Sequence, residues 1–450
     1  MSGYAEYREV NLPWLKAVPA HWEMRRNKNI FTEQKEIVGE RSADYTLLSL
    51  TLNGIIPRDM DGGGKFPESF DKYKIVKNGD MAFCLFDIDE TPRTVGLSGY
   101  NGMLTGAYTI MRISNINARF IYYYYLALDN GKMLRPLYTG LRKTININTF
   151  QSTKVPVPPR SEQDQIVRFL DWKVSSINKL INIQKEQIRV IEELKEKAVC
   201  EVLLHGIDVG VSYKDSGIEW IGSIPERWKV IKIKWLFDEV DERNTDQTTE
   251  LLTFSKKRGL LPFAEASDKM PSASDLSNYK ILHKGQLLEN RMQAWHGMFI
   301  CSDREGCVSP DYSIFSASKE REVSVKFYEY VFRSHIWVEQ FANASRGVGS
   351  GFNRLYTPQF GAIHTVYPAI DEQRRIVEYL DKKTARLNAV ITQIERRIEG
   401  LEELKLTLIA DTVTGKIDVR GIDVPEYEYV EETIDDNNED CEEETEEQED

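Results

Sequence analysis

Long apolar runs are missing from this chain of 450 residues. No stretch reaches about eighteen consecutive apolar residues, so no membrane-spanning helix is expected. The opening residues, Met1-Ser2-Gly3-Tyr4-Ala5-Glu6, lack both a basic start and an apolar stretch, and no signal peptide is expected. Cysteine is scarce. Cys84, Cys200, Cys301, Cys307 and Cys441 form no paired framework and no C-x-x-C, which fits free thiols in a reducing cytoplasm. The histidines (His21, His205, His283, His296, His335, His364) are scattered without metal-binding spacing. There is no G-x-x-x-x-G-K-[ST] phosphate loop, and no Asn-Pro-Pro-Tyr or Asp-Pro-Pro-Tyr of the kind used by amino-methyltransferases. The glycine cluster Gly347-Val348-Gly349-Ser350-Gly351 follows no convincing strand and reads as a flexible loop. Glu33-Gln34-Lys35 could end a nuclease motif, but such triplets arise by chance in any charged chain. Catalysis is therefore not expected here.

The net charge of −13 is unevenly spread. Residues 423–450 hold sixteen Asp or Glu and no Lys or Arg, so the preceding 422 residues carry +3. A slightly basic body thus bears an acidic tail too charged and too poor in apolar residues to fold alone. A solvated tail is the simplest expectation; competition with a polyanion for basic surface is the other.

What the chain does contain is itself, twice. Residues 162–209 lie on residues 372–419 at a constant shift of 210 without a gap. Glu162-Gln163 falls on Glu372-Gln373, and Glu192-Glu193-Leu194-Lys195 on Glu402-Glu403-Leu404-Lys405. Ile207-Asp208-Val209 falls on Ile417-Asp418-Val419. Ahead of each copy, Trp14, Pro19, Trp22 and Phe31 match Trp220, Pro225, Trp228 and Phe237 at a shift of 206. So long a period excludes a solenoid and implies two domains of one kind.

Each globular part reads as mixed strands and short helices. Tyr45 to Leu52 is a β-rich run closed by Asn53-Gly54; its counterpart, Leu251-Leu252-Thr253-Phe254, runs into the basic turn Lys256-Lys257-Arg258-Gly259. Tyr73 to Asp80 matches Tyr279 to Gln286, and Leu104 to Ile110 pairs with Val308 to Ile314. Between these markers the copies diverge: residues 84–103 and 290–307 share little. A common scaffold with different insertions suits two specificities on one fold.

After Val157-Pro158-Pro159 and Tyr367-Pro368 a helix is predicted, with Ser161 or Asp371 as N-cap and Glu162, Asp164 and Glu372 favourably placed in the first turn. Leu170, Ile177, Ile181, Ile188 and Ile191 form an apolar seam in the first helix, interrupted at Gln184. Leu380, Leu387, Ile391, Ile394, Ile398 and Leu401 form it in the second. A narrow stripe with charged flanks over about 60 Å favours a two-helix coiled coil. In a parallel pair, residues 204–219 would have to return along the helix, and sixteen residues reach at most about 55 Å. An antiparallel pair is expected.

These features yield an α+β reading with five segments: a domain over 1–160, a helix over 161–205, a linker and second domain over 206–370, a helix over 371–412, and a C-terminal segment over 413–450 with a disordered acidic tail. Two similar mixed α/β domains are separated by an antiparallel coiled coil, pseudo-two-fold overall.

Tandem globular parts each followed by such a helix resemble the specificity subunit of type I restriction–modification enzymes, over residues from about 4 to 422. The signatures are Gly217-Ile218-Glu219-Trp220-Ile221-Gly222-Ser223-Ile224-Pro225-Glu226-Arg227-Trp228, Thr414-Gly415-Lys416-Ile417-Asp418-Val419-Arg420, and the helix starts Pro158 to Leu170 and Pro368 to Leu380. The resemblance implies target-recognition domains that each read half of a split, asymmetric site in double-stranded DNA. It implies helices that set the spacing and dock two modification subunits, with restriction and translocase subunits completing the complex. S-adenosylmethionine, ATP and Mg would belong to those partners, with no cofactor on this chain, in a prokaryotic cytoplasm. The acidic tail is not part of that pattern.

Basic side chains at turns are the candidate DNA contacts, since phosphates and base edges favour such donors. They are Lys65, Arg93, Arg142 and Lys143 in the first domain, and Lys256, Lys257, Arg258, Arg291, Arg346 and Arg354 in the second. Arg142 and Arg354 both stand in Gly-rich turns shortly before Phe150 and Phe360. Tyr122-Tyr123-Tyr124-Tyr125 could be a stacking platform, but a partly buried amphipathic helix is the better expectation. A stand-alone two-headed DNA-binding protein and a scaffold that never touches DNA are the rival readings.

Overall fold

The computed structural model describes residues 2–433 apart from 53, 59–66, 68, 139–142, 246–248, 257, 267–274 and 347–352. Two compact units emerge, residues 1–186 with 394–450, and residues 187–393. Their boundary falls inside both long helices, Arg160–His205 and Ile370–Val413. No described helix is long and apolar enough to cross a membrane.

The same strand plan is built in each unit. In the first, a four-stranded antiparallel sheet runs Phe31–Gln34, Thr109–Ile113, Met81–Phe83, Val95–Leu97. In the second, Phe237–Val240, Tyr312–Ala317, Leu287–Asn290 and Phe299–Cys301 take the same order. The β-rich runs at 45–52 and 251–254 become hairpins, Leu48–Thr51 with Gly54–Pro57 and Leu252–Ser255 with Gly259–Pro262. Gly54 and Gly259 take φ of 100° and 76° there, which a glycine enters without strain. Aromatic side chains fill the layer between sheet and helices: Phe31, Phe83, Tyr125 and Phe150 in one unit, Phe299, Phe332, Phe341 and Phe360 in the other.

The tyrosine run belongs to a helix, Ala118–Asn130, and it is more deeply buried than its sequence suggests. Tyr123, Tyr124 and Tyr125 are all buried, and each hydroxyl is engaged: Tyr123 donates to Asp171 (2.8 Å), Tyr125 to Asn27 Oδ1 (2.7 Å), and Tyr124 accepts from Trp14 Nε1 (3.0 Å). Three buried rings with three satisfied hydroxyls build a core, which leaves none of the three to stack on a base; Tyr122 is half-buried.

Each long helix begins one residue before its expected bounds, at Arg160 and Ile370, and its N-cap lies two residues before the one predicted. Pro159 O accepts from Glu162 N and Gln163 N, and Ala369 O from Glu372 N and Gln373 N. Pro159 and Ala369 therefore stand at the N-cap, and Ser161 and Asp371 lie within the first turn. The helix needs no side-chain cap, because Glu162 and Glu372 are directed into the globular parts instead. Glu162 is 5 % exposed and accepts from Tyr4 Oη (2.6 Å) and Trp22 Nε1 (2.9 Å), with His21 Nε2 2.8 Å away. In the second unit Arg227 takes the place of His21 at the repeat shift and binds Glu372 in a fork, Nε at 3.0 Å and Nη2 at 2.6 Å. Trp228, fully buried like Trp22, has no indole partner among the described residues.

The neighbouring glutamines make the same contacts twice. Gln163 Nε2 donates to Pro158 O (2.8 Å) and its Oε1 accepts from Asn117 N (2.8 Å), where Asn117 caps the tyrosine helix. Gln373 Nε2 donates to Pro368 O (2.9 Å) and its Oε1 accepts from Ser324 N (2.9 Å), where Ser324 caps Val325–Arg333. A single amide thus joins the start of a long helix to the start of a domain helix.

The helices run antiparallel within each unit. In the first, Lys405 Nζ donates to Asn178 Oδ1 (3.2 Å) and Gln165 Nε2 to Val419 O (3.1 Å), so one chain retreats as the other advances. In the second, Lys195 Nζ donates to Asn388 Oδ1 (3.1 Å), and Arg375 meets Asp208. Asn178–Lys405 and Asn388–Lys195 are one pair of positions seen twice at the shift of 210. Of the seam positions, Leu170, Ile177, Ile181, Leu380, Ile391 and Ile394 are buried, and Ile188, Ile191, Leu387, Ile398 and Leu401 are half-buried. Gln184, at the interruption, is half-buried where Ile394 is buried. Residues 428–433 depart from the solvated tail expected: they lie extended along the first long helix, because side chains of that helix bind their backbone.

Gln163→Ala leaves a buried peptide N–H at Asn117 and a carbonyl at Pro158 without partners, at a cost of roughly 2–4 kcal/mol. Urea unfolding followed by circular dichroism should show a lowered midpoint for this variant, whereas Gln165→Ala, on a more exposed side, should cost less.

Candidate nucleic-acid interface

Three of the predicted DNA contacts in the second unit come together at one loop. Arg346 and Arg354 face each other in a two-residue β-bridge, N to O 3.0 and 2.9 Å, at the base of residues 347–352. Leu355 N donates to Arg291 O (3.0 Å), which ties the strand-end arginine to the residue beside that bridge. The Arg291 guanidinium donates to the carbonyls of Asp311 (2.9 Å) and Pro310 (2.8 Å), and Arg354 lies 3.4 Å from the Asp311 carboxylate. Arg346 is exposed and has no side-chain partner among the described residues. Two arginines are thus engaged with Pro310 and Asp311, and the third is available to an anion.

Lys256 and Arg258 form a separate group at the turn of the Leu252–Pro262 hairpin, both exposed. Arg258 Nη2 reaches Glu265 O at 3.2 Å, a solvent-facing bond that an incoming phosphate could replace. Lys65, Arg142, Lys257 and the glycine cluster lie outside the described residues, so the proposed match of Arg142 to Arg354 has no structural counterpart here.

Arg93 and Lys143 are engaged within the first unit. Arg93 Nη1 sits 3.1 Å from Asp129 and 2.8 Å from Asn130 Oδ1, and Nη2 reaches Leu52 O at 3.4 Å. Asp129, 1 % exposed, also takes Thr94 Oγ1 (2.6 Å) and Lys132 Nζ (2.8 Å), so Arg93 neutralises a buried carboxylate. Lys143, half-exposed, pairs with Glu90 and lies 3.4 Å from Asp89. Asp89 also accepts from Tyr138 Oη (2.7 Å), and that bond, followed by Lys143, holds its carboxyl below the ordinary range.

One group at this interface escaped the sequence reading. Glu289, two residues before Arg291, is fully buried, and neither carboxylate oxygen has a partner among the described residues. At the equivalent place on the first sheet stands Phe83, in an aromatic cluster. Desolvation by burial pushes the Glu289 carboxyl up to about 8. A lone Glu in a strand carries no signal of burial; only aligning it with Phe83 would have exposed it. Among the described residues no group of three or more His, Cys, Asp or Glu could hold a metal ion.

A repeated scaffold and a repeated helix fastening thus carry sheet-end segments that differ between the copies. Comparison with known proteins narrows the class. A family model described as the type I restriction modification DNA specificity domain matches residues 68–193. The MjaX protein of Methanocaldococcus jannaschii, assigned as a type I restriction enzyme specificity subunit, is 23% identical over 444 residues, covering 92% of this chain and 98% of that one. The MjaVIII specificity subunit of the same organism is 27% identical over 241 residues, about half of each chain (52% and 53%). In a solved structure concerning complex assembly and conformational transition of the type I R-M system, one chain shares the fold at a TM-score of 0.58 and 14% identity, covering 89% of this chain and 99% of that one. The chain is thus similar to type I restriction enzyme specificity subunits, by the family model over residues 68–193 and by both relatives.

Because Glu289 holds its proton in the folded state until about pH 8, against an ordinary 4.5, its contribution to stability is greatest below pH 4.5 and declines as pH rises between those values. The decline is at most about 1.4 kcal/mol per pH unit. Glu289→Gln removes it, so the variant should melt above the parent at pH 8 and match it near pH 4.5; equal melting shifts at both would show that the carboxyl stays ionised.

Proposed function

We propose that this chain is the non-catalytic DNA-specificity subunit of a type I restriction–modification enzyme, reading a split, asymmetric site with one domain per half. The observation that supports this most is the contrast inside the repeat. The helix fastenings, Glu162-Gln163 and Glu372-Gln373, are duplicated residue for residue, whereas the sheet-end loops are not: Arg291, Arg346 and Arg354 gather around a loop in one unit, Asp89, Tyr138 and Lys143 in the other. Duplicated fastenings suit two domains of one kind seated alike on their helices, and divergent loops suit two different base sequences.

In this reading Arg346, Lys256 and Arg258 approach phosphates or base edges first, because they are exposed and lightly engaged. Arg291 and Arg354 are occupied by Pro310 and Asp311 and brace the bridge beside which Arg346 stands. The helices act as spacer, with half-sites of the order of one duplex turn apart, about 34 Å. Two modification subunits would dock on the repeated helical surfaces and bring S-adenosylmethionine to adenine N6. Restriction subunits would bring ATP, Mg and translocation.

Long-read mapping of methylated adenine in host DNA, with the gene present and deleted, tests the proposal. Loss of one split asymmetric motif on deletion is expected; an unchanged methylation pattern would count against it. Exchanging residues 213–360 for the matching segment of another specificity subunit should alter only one half of the motif, and a change in both halves would refute one domain per half.

A further inference from the structure

The first long helix carries a polar stripe that the coiled-coil seam does not use. Ser175, Asn178, Asn182 and Lys185 recur at steps of three, four and three residues, hence along one face. Residues 428–433 lie extended upon it. The Ser175 hydroxyl donates to Glu428 O (2.8 Å) and accepts from Val430 N (2.7 Å), bridging across Tyr429. Asn178 Nδ2 donates to Val430 O (3.1 Å). The Asn182 amide donates to Glu431 O (2.9 Å) and accepts from Thr433 N (2.9 Å), bridging across Glu432. Lys185 Nζ donates to Thr433 O (2.9 Å).

Two side chains that each pair with a C=O and an N–H on either side of one residue satisfy an extended backbone as a neighbouring strand would. The side chain between the second pair is also specified. Glu432, 20 % exposed, is held between Lys185 (3.3 Å) and Lys405 of the second long helix. Both lysines are largely covered, so the pair is shielded from solvent more than a surface ion pair. Tyr429 receives Arg119 over its ring at 5.6 Å. The site therefore reads the backbone of an extended peptide and selects an acidic residue within it.

The repeat provides an internal control. At a shift of 210 the stripe becomes Ala385, Asn388, Thr392 and Glu395. Both bridging side chains are altered and the lysine is reversed in charge, so the groove was not inherited with the spacer.

We infer that this face of the first long helix is an acceptor groove for an extended acidic peptide, that residues 428–433 occupy it as a strap, and that the strap anchors residues 434–450 as an intrachain competitor of DNA. The last part rests on the DNA-specificity reading. Eleven of those seventeen residues are Asp or Glu and none is Lys or Arg. Ending the chain after Thr433 would change the net charge from −13 to −2. From its anchor the segment can reach at most about 60 Å, and tethering raises the local concentration of its carboxylates above that of free competitor anions.

Two measurements separate the groove from the competitor. The first is fluorescence anisotropy with a labelled synthetic peptide of residues 426–450. A chain ended after Pro425 should bind it saturably, the full-length chain should not because its groove is filled, and Ser175→Ala with Asn182→Ala should weaken binding about tenfold or more. Equal binding by full-length and shortened chains, or indifference to the double substitution, overturns the groove. The second is retention of duplex DNA across a salt series. A chain ended after Thr433, which keeps the strap, should bind about tenfold more tightly than the full-length chain at low salt, the gain fading at high salt. No gain overturns the competitor role. If neither chain retains DNA, the DNA-specificity reading fails and takes the competitor with it, while the peptide arm still decides the groove.

Discussion

Everything in each unit hangs on a buried Glu–Gln pair at the first turn of a long helix. Burying a carboxylate is costly unless hydrogen bonds replace its water. Glu162 meets that condition through Tyr4, His21 and Trp22, and Glu372 through the Arg227 fork. Because those donors come from the segment that opens the domain, the carboxylate can be satisfied only when that segment closes onto the helix. The adjoining glutamine imposes the same condition on a second element, since its amide completes the cap of a domain helix. Two consecutive side chains thus fix the orientation of a domain on its own helix, where apolar packing alone would fix only proximity.

The donor set differs between copies while the acceptor does not. His21 and Trp22 share one carboxylate; Arg227 takes the other alone and leaves the Trp228 indole nitrogen without a partner. One guanidinium fork in place of an imidazole and an indole satisfies both carboxylate oxygens from a single side chain, at the cost of an orphaned donor. Drift of this kind is tolerable because geometry, rather than one particular donor, is what the helix start requires.

Much of this architecture was legible. A gapless shift of 210 over the helices revealed the duplication, apolar spacing gave the seam, and chain reach favoured the antiparallel direction. All three depend on local periodicity or length, which sequence preserves. The N-caps were misjudged by two residues because Ser161 and Asp371 are good caps in isolation, whereas the partners of Glu162 and Glu372 are distant in sequence. Candidate contacts were harder for the same reason. Nothing near Arg93 announces that Asp129 will be buried beside it, and nothing near Glu289 announces burial. An exposed cation and a neutralising one have the same spelling. The strap, too, was invisible: a run of carboxylates argues for solvation until a helix face that binds backbone is set against it.

On the proposed reading, rigid fastening and divergent loops are parts of one requirement. Two weakly specific heads gain affinity from being joined only if both can engage at one spacing, and the gain falls steeply when geometry forbids it. A domain that pivoted on its helix would admit many spacings and lose discrimination between them. The duplicated Glu–Gln anchors remove that freedom at each end, and the loops, relieved of any structural duty to the helix, are free to differ. Arg291 and Arg354 show how far that division extends: even within the variable surface, the arginines that bind carbonyls and Asp311 form a frame, and Arg346 is the one left uncommitted among the described residues. Specificity can then change by exchanging what the frame carries, with the fastening and the spacer untouched.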